Sequence, residues 1–148
     1  MINPNKIHLG VYGIATRGDE ILLIKKAKGP YKGLLDLPGG RIEPGETIES
    51  ALKREFEEEV GGKVSGQKFL CVAEFMCDYN DADGVRKSSH HIGLYYTVDV
   101  EILNLKSQPD GLDSDGAVWV QLPLNIDREA PIIQRPLELL GLNKGINL

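Results

Sequence analysis

The stretch Gly39–Gly62, GGRIEPGETIESALKREFEEEVGG, constrains this chain more than any other. A glycine turn runs into a segment whose apolar residues recur with helical spacing. Thr47 is the expected N-cap and Gly61-Gly62 the C-terminal stop, so a helix is predicted over 47–60. At about 100° per residue, Ile48, Ala51, Leu52, Phe56 and Val60 gather on one side, which should face a sheet. Glu55 and Glu59 fall inside that arc. Glu58 and Arg54 lie beyond one edge, and Glu57 falls outside.

Such a helix violates its own local rules. Glu55, Glu58 and Glu59 are neighbours at i, i+3 and i+4, so their charges repel. They occupy the last turns, where the helix dipole disfavours anions. Two of them point toward the core side, where an unpaired charge is costly. Arg54 offsets only part of this. A hard divalent cation such as Mg2+, which binds carboxylates and substrate phosphates together, would supply the remainder. The plain alternative is a solvated acidic face.

Around this stretch the pattern reads as α/β. Strands are expected over 7–16 and 20–26, joined antiparallel by the Arg17-Gly18-Asp19 turn, with a short extended piece over 34–37. Further strands are expected over 63–76, 90–102 and 117–122. Polar loops are expected over 78–89 and 103–116, and a closing helix over 131–140, interrupted or restarted at Pro136. These elements predict one mixed sheet of five or six strands with two helices, arranged in layers.

Together the residues resemble a known family. Gly40, Glu46, Arg54-Glu55-Phe56, Glu58-Glu59 and Gly61 reproduce the Nudix box, G-x5-E-x7-R-E-U-x-E-E-x-G-U, where U is a bulky apolar residue. The departure is the last position, held by Gly62, with Val64 expected to supply the missing packing. The resemblance implies a single Nudix domain over residues 1–148, an α/β/α sandwich with a mixed sheet, the box loop–helix and a C-terminal helix. It implies hydrolysis of a phosphoanhydride in a nucleoside diphosphate derivative by a water attacking phosphorus. Glu55, Glu58 and Glu59 match metal-binding positions, with the Gly39 carbonyl as a further ligand and Mg2+ or Mn2+ as the metal. Arg54 matches the arginine that orients the glutamates, and Glu46 the acid that holds the loop–helix geometry. Glu58, Glu55 and Arg54 are therefore the expected catalytic residues.

The resemblance lets the general base come from the box helix or from a later loop; Asp113 and Asp115 are the candidate loop acids, with Asp115 the first choice among them. Arg41 and Arg86 are candidate phosphate or substrate contacts, and Trp119 a candidate for stacking on a base. A nucleoside triphosphate or related diphosphate derivative is the expected substrate. ADP-ribose or a dinucleoside polyphosphate is the alternative, and a non-catalytic nucleotide-binding module is the reading from another class. Net charge is −5, which argues against a nucleic-acid partner. No run of about 18 apolar residues suggests a membrane span. No leader is visible in MINPNKIHLG, and Cys71 and Cys77 form no framework, so buried free thiols and a cytoplasmic location are expected. A homodimer is the assembly considered.

Overall fold

The structure is a computed structural model that describes residues 6–124 and 126–142. Eight strands form two four-stranded sheets. In the first sheet, β1 (Ile7–Ile14) pairs antiparallel with β5 (Gly39–Arg41) and parallel with β7 (Arg86–Ile102), and β6 (Gly62–Asn80) lies antiparallel to β7 at the edge. In the second, β3 (Glu20–Lys26) pairs antiparallel with β2 (Thr16–Arg17), β4 (Leu35–Asp36) and β8 (Ser114–Gln121).

Two sheets replace the one expected. The Arg17–Asp19 turn joins β3 only to the two-residue β2, while β1 turns away to pair with β5 and β7. The apolar alternation of 7–16 does not reveal which neighbour a strand takes, because both faces of β1 are buried toward its end. The expected loop over 78–89 is also mostly strand. Residues 78–80 and 86–88 pair as Asp78 with Ser88, Tyr79 with Lys87 and Asn80 with Arg86. Polar side chains are compatible with a ladder whose backbone bonds are complete.

Helix α1 (Ile48–Glu59) and the C-terminal helix α2 (Gln134–Leu139) lie on opposite sides of the sheets, giving the expected three-layer α/β/α arrangement. Alternation along the strands feeds both cores. Val11, Leu22 and Ile24 pack with Ala51, Leu52, Phe56 and Val60 of α1. Tyr12, Ile21 and Leu23 pack with Ile132, Ile133 and Leu137 on the other side. Ile48, expected among the packed residues of α1, is instead 38% exposed at its first turn. Pro136 does not break α2, because it sits in the first turn, where its missing N–H has no intrahelical partner.

A close contact seats α1. A Cβ on Gly13 would lie 2.6 Å from the Phe56 ring, so glycine in β1 lets that ring reach the sheet. Gly62 is equally constrained, since a Cβ there would meet Val100 at 2.7 Å and Ile102 at 3.0 Å. Val64, 3% exposed in the α1 core, supplies the apolar packing expected near that position. Cys71 and Cys77 are free, and both are only partly buried.

Candidate active site

Thr47 caps α1 by accepting the Ser50 N–H at 3.0 Å. Just before it, Glu46 accepts the Glu43 N–H at 2.9 Å, closing the turn that delivers the chain to the helix. Glu46 then takes a fork from Arg54, whose Nε and Nη2 donate at 2.7 and 2.8 Å. This paired geometry is the strong form of an arginine–carboxylate contact. It holds the Glu46 carboxyl far below the usual carboxylate range. Arg54 also donates to Glu55 at 2.9 Å, Glu58 at 3.3 Å and the Arg41 carbonyl at 3.0 Å. One guanidinium thus ties the loop to two of the three helix acids.

The third acid is held from the other side. Glu59 accepts the Gly39 N–H at 2.9 Å, in a buried position. Gly39 adopts φ +144°, and a Cβ there would run into the Val11 carbonyl, so only glycine fits. Gly40 matters differently: a Cβ there would lie 2.7 Å from the Glu55 carboxylate and push it from its present place. Burial pushes Glu59 up to about 8, against the opposing pull of the Gly39 N–H and Lys26. Burial also raises Glu55, against Arg54. Glu58 is the exposed member, and Glu57 points away to solvent, as the helical arc predicts. No basic residue sits in the last turn of α1, but Lys106 reaches in from a distant loop to donate to the Glu58 carbonyl at 3.1 Å.

Glu55, Glu58, Glu59, Gly39 and Arg41 line one cavity of about 760 Å3. Its deeper wall was not foreseen from the sequence. His91 is buried with its Nε2 2.7 Å from the Tyr12 hydroxyl and its Nδ1 3.1 Å from that of Tyr31. Burial, then His8 and Lys26, lower His91 to about 3, so the ring is neutral near pH 7. A neutral imidazole has one donor and one acceptor nitrogen, so one tyrosine donates to it and the other accepts from it. Asp36, 2% exposed, is pushed up to about 6 by burial, tempered by Lys26 and the Leu37 N–H. Lys26 bonds Asp113. Its burial would lower it, but attraction to Asp113 and Asp36 prevails and raises it.

Three residues expected at the site lie elsewhere. Asp115 is exposed and does not line the cavity: β8 begins at Ser114, and alternation turns Ser114 and Gly116 inward and Asp115 outward. Asp113, just before that strand, does line it. Arg86 stands at the start of β7, outside the cavity lining, and pairs with Asp78 at 3.7 Å. Trp119 packs against the α1 core with Arg17 over its ring at 4.3 Å. The inner wall escaped the sequence reading because Lys26, Asp36, Tyr31 and His91 come from separate strands and loops.

As the side chains stand, no three His, Cys, Asp or Glu residues among those described converge to hold a metal ion. Arg54 Nη1 bonds Glu55 and Glu58 instead. The donor set nonetheless suits a hard cation. It is all oxygen, and burial penalises the charge of both Glu55 and Glu59. Gly40 leaves open the space beside Glu55 that any side chain would fill.

The fold and this site define a Nudix domain. The NUDIX domain family model matches residues 6–138, and the chain belongs to that family. It is 35% identical over 107 residues to an ADP-ribose pyrophosphatase of Methanocaldococcus jannaschii, a match covering 72% of this chain and 59% of that protein. The chain thus spans little more than half the length of that relative. It is 29% identical over 128 residues to the 8-oxo-dGTP diphosphatase of Escherichia coli, covering 85% of this chain and 89% of the other. Among solved structures, the crystal structure of a MutT NUDIX hydrolase from Burkholderia pseudomallei superposes with a TM-score of 0.68 at 26% identity. That likeness covers 92% of this chain and 99% of the other.

Proposed function

We propose that this chain is a metal-dependent hydrolase of a phosphoanhydride bond in a nucleoside triphosphate or related nucleoside diphosphate derivative. The observation that carries the reading is the convergence of Glu55, Glu58 and Glu59 with the Gly39-Gly40 turn on one wall of a single cavity. A structural helix gains nothing from three acids at its C-terminal end.

Glu55, Glu58, Glu59 and the Gly39 carbonyl would hold Mg2+, with Mn2+ as a substitute. Such an ion neutralises the diphosphate and acidifies a water when bound. The chain's own residues do the rest. Glu58, the most exposed of the three, accepts the proton of the attacking water; Asp113 is the second candidate, from the facing loop. Oxygen attacks one phosphorus, the bridging P–O bond breaks, and the phosphate-bearing fragment leaves. Arg54 fixes Glu55 and Glu58 in place, and Arg41 offers a cation to the phosphates. Preorganised positioning and charge account for most catalysis in phosphoryl transfer.

End-to-end similarity to an 8-oxo-dGTP diphosphatase supports a nucleoside triphosphate as substrate. The higher identity to an ADP-ribose pyrophosphatase supports ADP-ribose as the second reading. The deciding experiment incubates the chain with Mg2+ and each of a panel of nucleoside triphosphates, nucleotide sugars and dinucleoside polyphosphates in 18O-labelled water. Mass identification of both products names the substrate and the phosphorus attacked. No monophosphate product from any of them would leave the non-catalytic binding module standing.

A further inference from the structure

Helix α1 covers only part of its face of the first sheet. Phe56 packs over Gly13, and Val11 is buried, but farther out Ile7, Leu9, Phe69, Val72 and Met76 are exposed among the described residues. The strand registers place Ile7, Leu9, Ile92, Val72, Met76 and Phe69 together on that remaining area. Ile7 aligns with His90 and thence with Met76, and Leu9 with Ile92 and Glu74. Val72 adjoins Leu94, and Phe69 adjoins Tyr96. They are neighbours on one face, interrupted where the bonded His90 and Glu74 stand between Met76 and the rest. That face runs to β6, which has no strand on its outer side among the described residues.

The patch is large enough to serve as an interface. Ile7, Leu9, Phe69, Val72 and Met76 are each 43–54% exposed. Together they offer on the order of 400–500 Å2 of apolar surface, the upper range for a monomer. A homodimer interface of about 800 Å2 per partner is about two-thirds apolar, so the patch matches the apolar share of one such interface. Its charge content selects the same occupant. Glu74 is the one acid on these rows, and its carboxylate is already bonded to His90 Nε2 at 2.7 Å. That contact engages the carboxylate, and no lysine or arginine stands on these rows to draw an acidic partner. Copies of a chain with net charge −5 repel over most of their surface, and they approach best through a face of this kind.

We propose that this face docks a second copy of the chain, the two sheets packing face to face in an isologous contact. A two-fold axis lays the same apolar rows on each other, so no separate complementary groove is needed. The contact does not depend on the hydrolase reading.

Sedimentation equilibrium of the full chain at micromolar concentrations tests it. The wild type should show a dimer mass, and Val72→Lys with Met76→Glu should shift it to monomer without changing the circular dichroism spectrum. Leu139→Glu, on exposed α2 at the opposite face, should remain dimeric. Amide hydrogen exchange provides a readout without substitution: protection along β6 should rise with protein concentration. A wild type that stays monomeric, or a dimer that survives the double substitution, would overturn the proposal. So would a monomer whose patch instead binds phosphatidylcholine vesicles.

Discussion

Glu59 and Gly39 are joined across twenty residues of sequence by one hydrogen bond, from the Gly39 N–H to the buried carboxylate. That bond locks the glycine turn onto the last turn of α1. It also leaves Glu59 with no cationic partner at hydrogen-bond distance among the described residues, in surroundings that favour its neutral form.

The pH dependence of the metal-free protein follows from that environment. Glu59 titrates near 8 when folded and near 4.5 when unfolded. The acid form is the one favoured by folding, so its stabilising effect is complete below the unfolded value and is lost as pH rises through 8. In EDTA, thermal melting should show the wild type losing on the order of 2–4 kcal/mol relative to Glu59→Gln between pH 5 and pH 9. Parallel melting curves for the two proteins across that range would contradict it. Mg2+ binding requires the ionised carboxylate, so calorimetry should show affinity rising with pH and levelling above 8.

Glu59→Gln should also lower kcat by about 1,000-fold or more while the protein stays folded, since it keeps the shape and removes the charge. Turnover within a few-fold of wild type would exclude Glu59 from holding the metal.

Arg54→Lys keeps a cation but loses the fork that grips Glu46 and reaches Glu55, Glu58 and the Arg41 carbonyl. Activity should fall about 10- to 100-fold, with apparent Mg2+ affinity reduced by a similar factor. A titration of activity against Mg2+ separates this from a general loss of fold. A change in kcat with unaltered metal affinity would place the role of Arg54 on substrate instead.

The facing loop can be dissected by two neighbouring aspartates. Asp113→Asn should reduce kcat/KM by about 100-fold if this acid serves the reaction, as general bases typically contribute that much or more. Asp115→Asn, which alternation turns to solvent, should stay within about two-fold of wild type. Arg86→Ala and Trp119→Phe should behave like Asp115→Asn. Steady-state kinetics on the four variants checks the placement, and a large effect at Asp115 with none at Asp113 would reverse it.

The Gly13–Phe56 contact predicts a compensating pair. Gly13→Ala should destabilise the fold by about 1–3 kcal/mol through overpacking. Combining it with Phe56→Leu should recover part of that loss, because the smaller side chain withdraws from the new methyl. Urea unfolding of the two single variants and the double variant measures the coupling. Simple additivity would mean that the ring does not bear on Gly13.

The chain's local sequence determined the elements whose signals are short-range. The cap at Thr47, the limits of β3, the end of α1 and the inward position of Glu55 and Glu59 all follow from spacing, capping chemistry and helical geometry. The family and the acid wall of the cavity were legible for the same reason, since they lie within one turn and one helix. Tertiary structure alone decided the rest. Which strand β1 pairs with depends on backbone hydrogen bonds that carry no side-chain signature, so one sheet was expected where two formed. The inner wall of Lys26, Asp36, Tyr31 and His91 assembles from separate elements, and no local pattern joins them. Which of Asp113 and Asp115 lines the cavity was decided by where β8 begins, a boundary set by pairing with β3 and invisible in the run of aspartates itself.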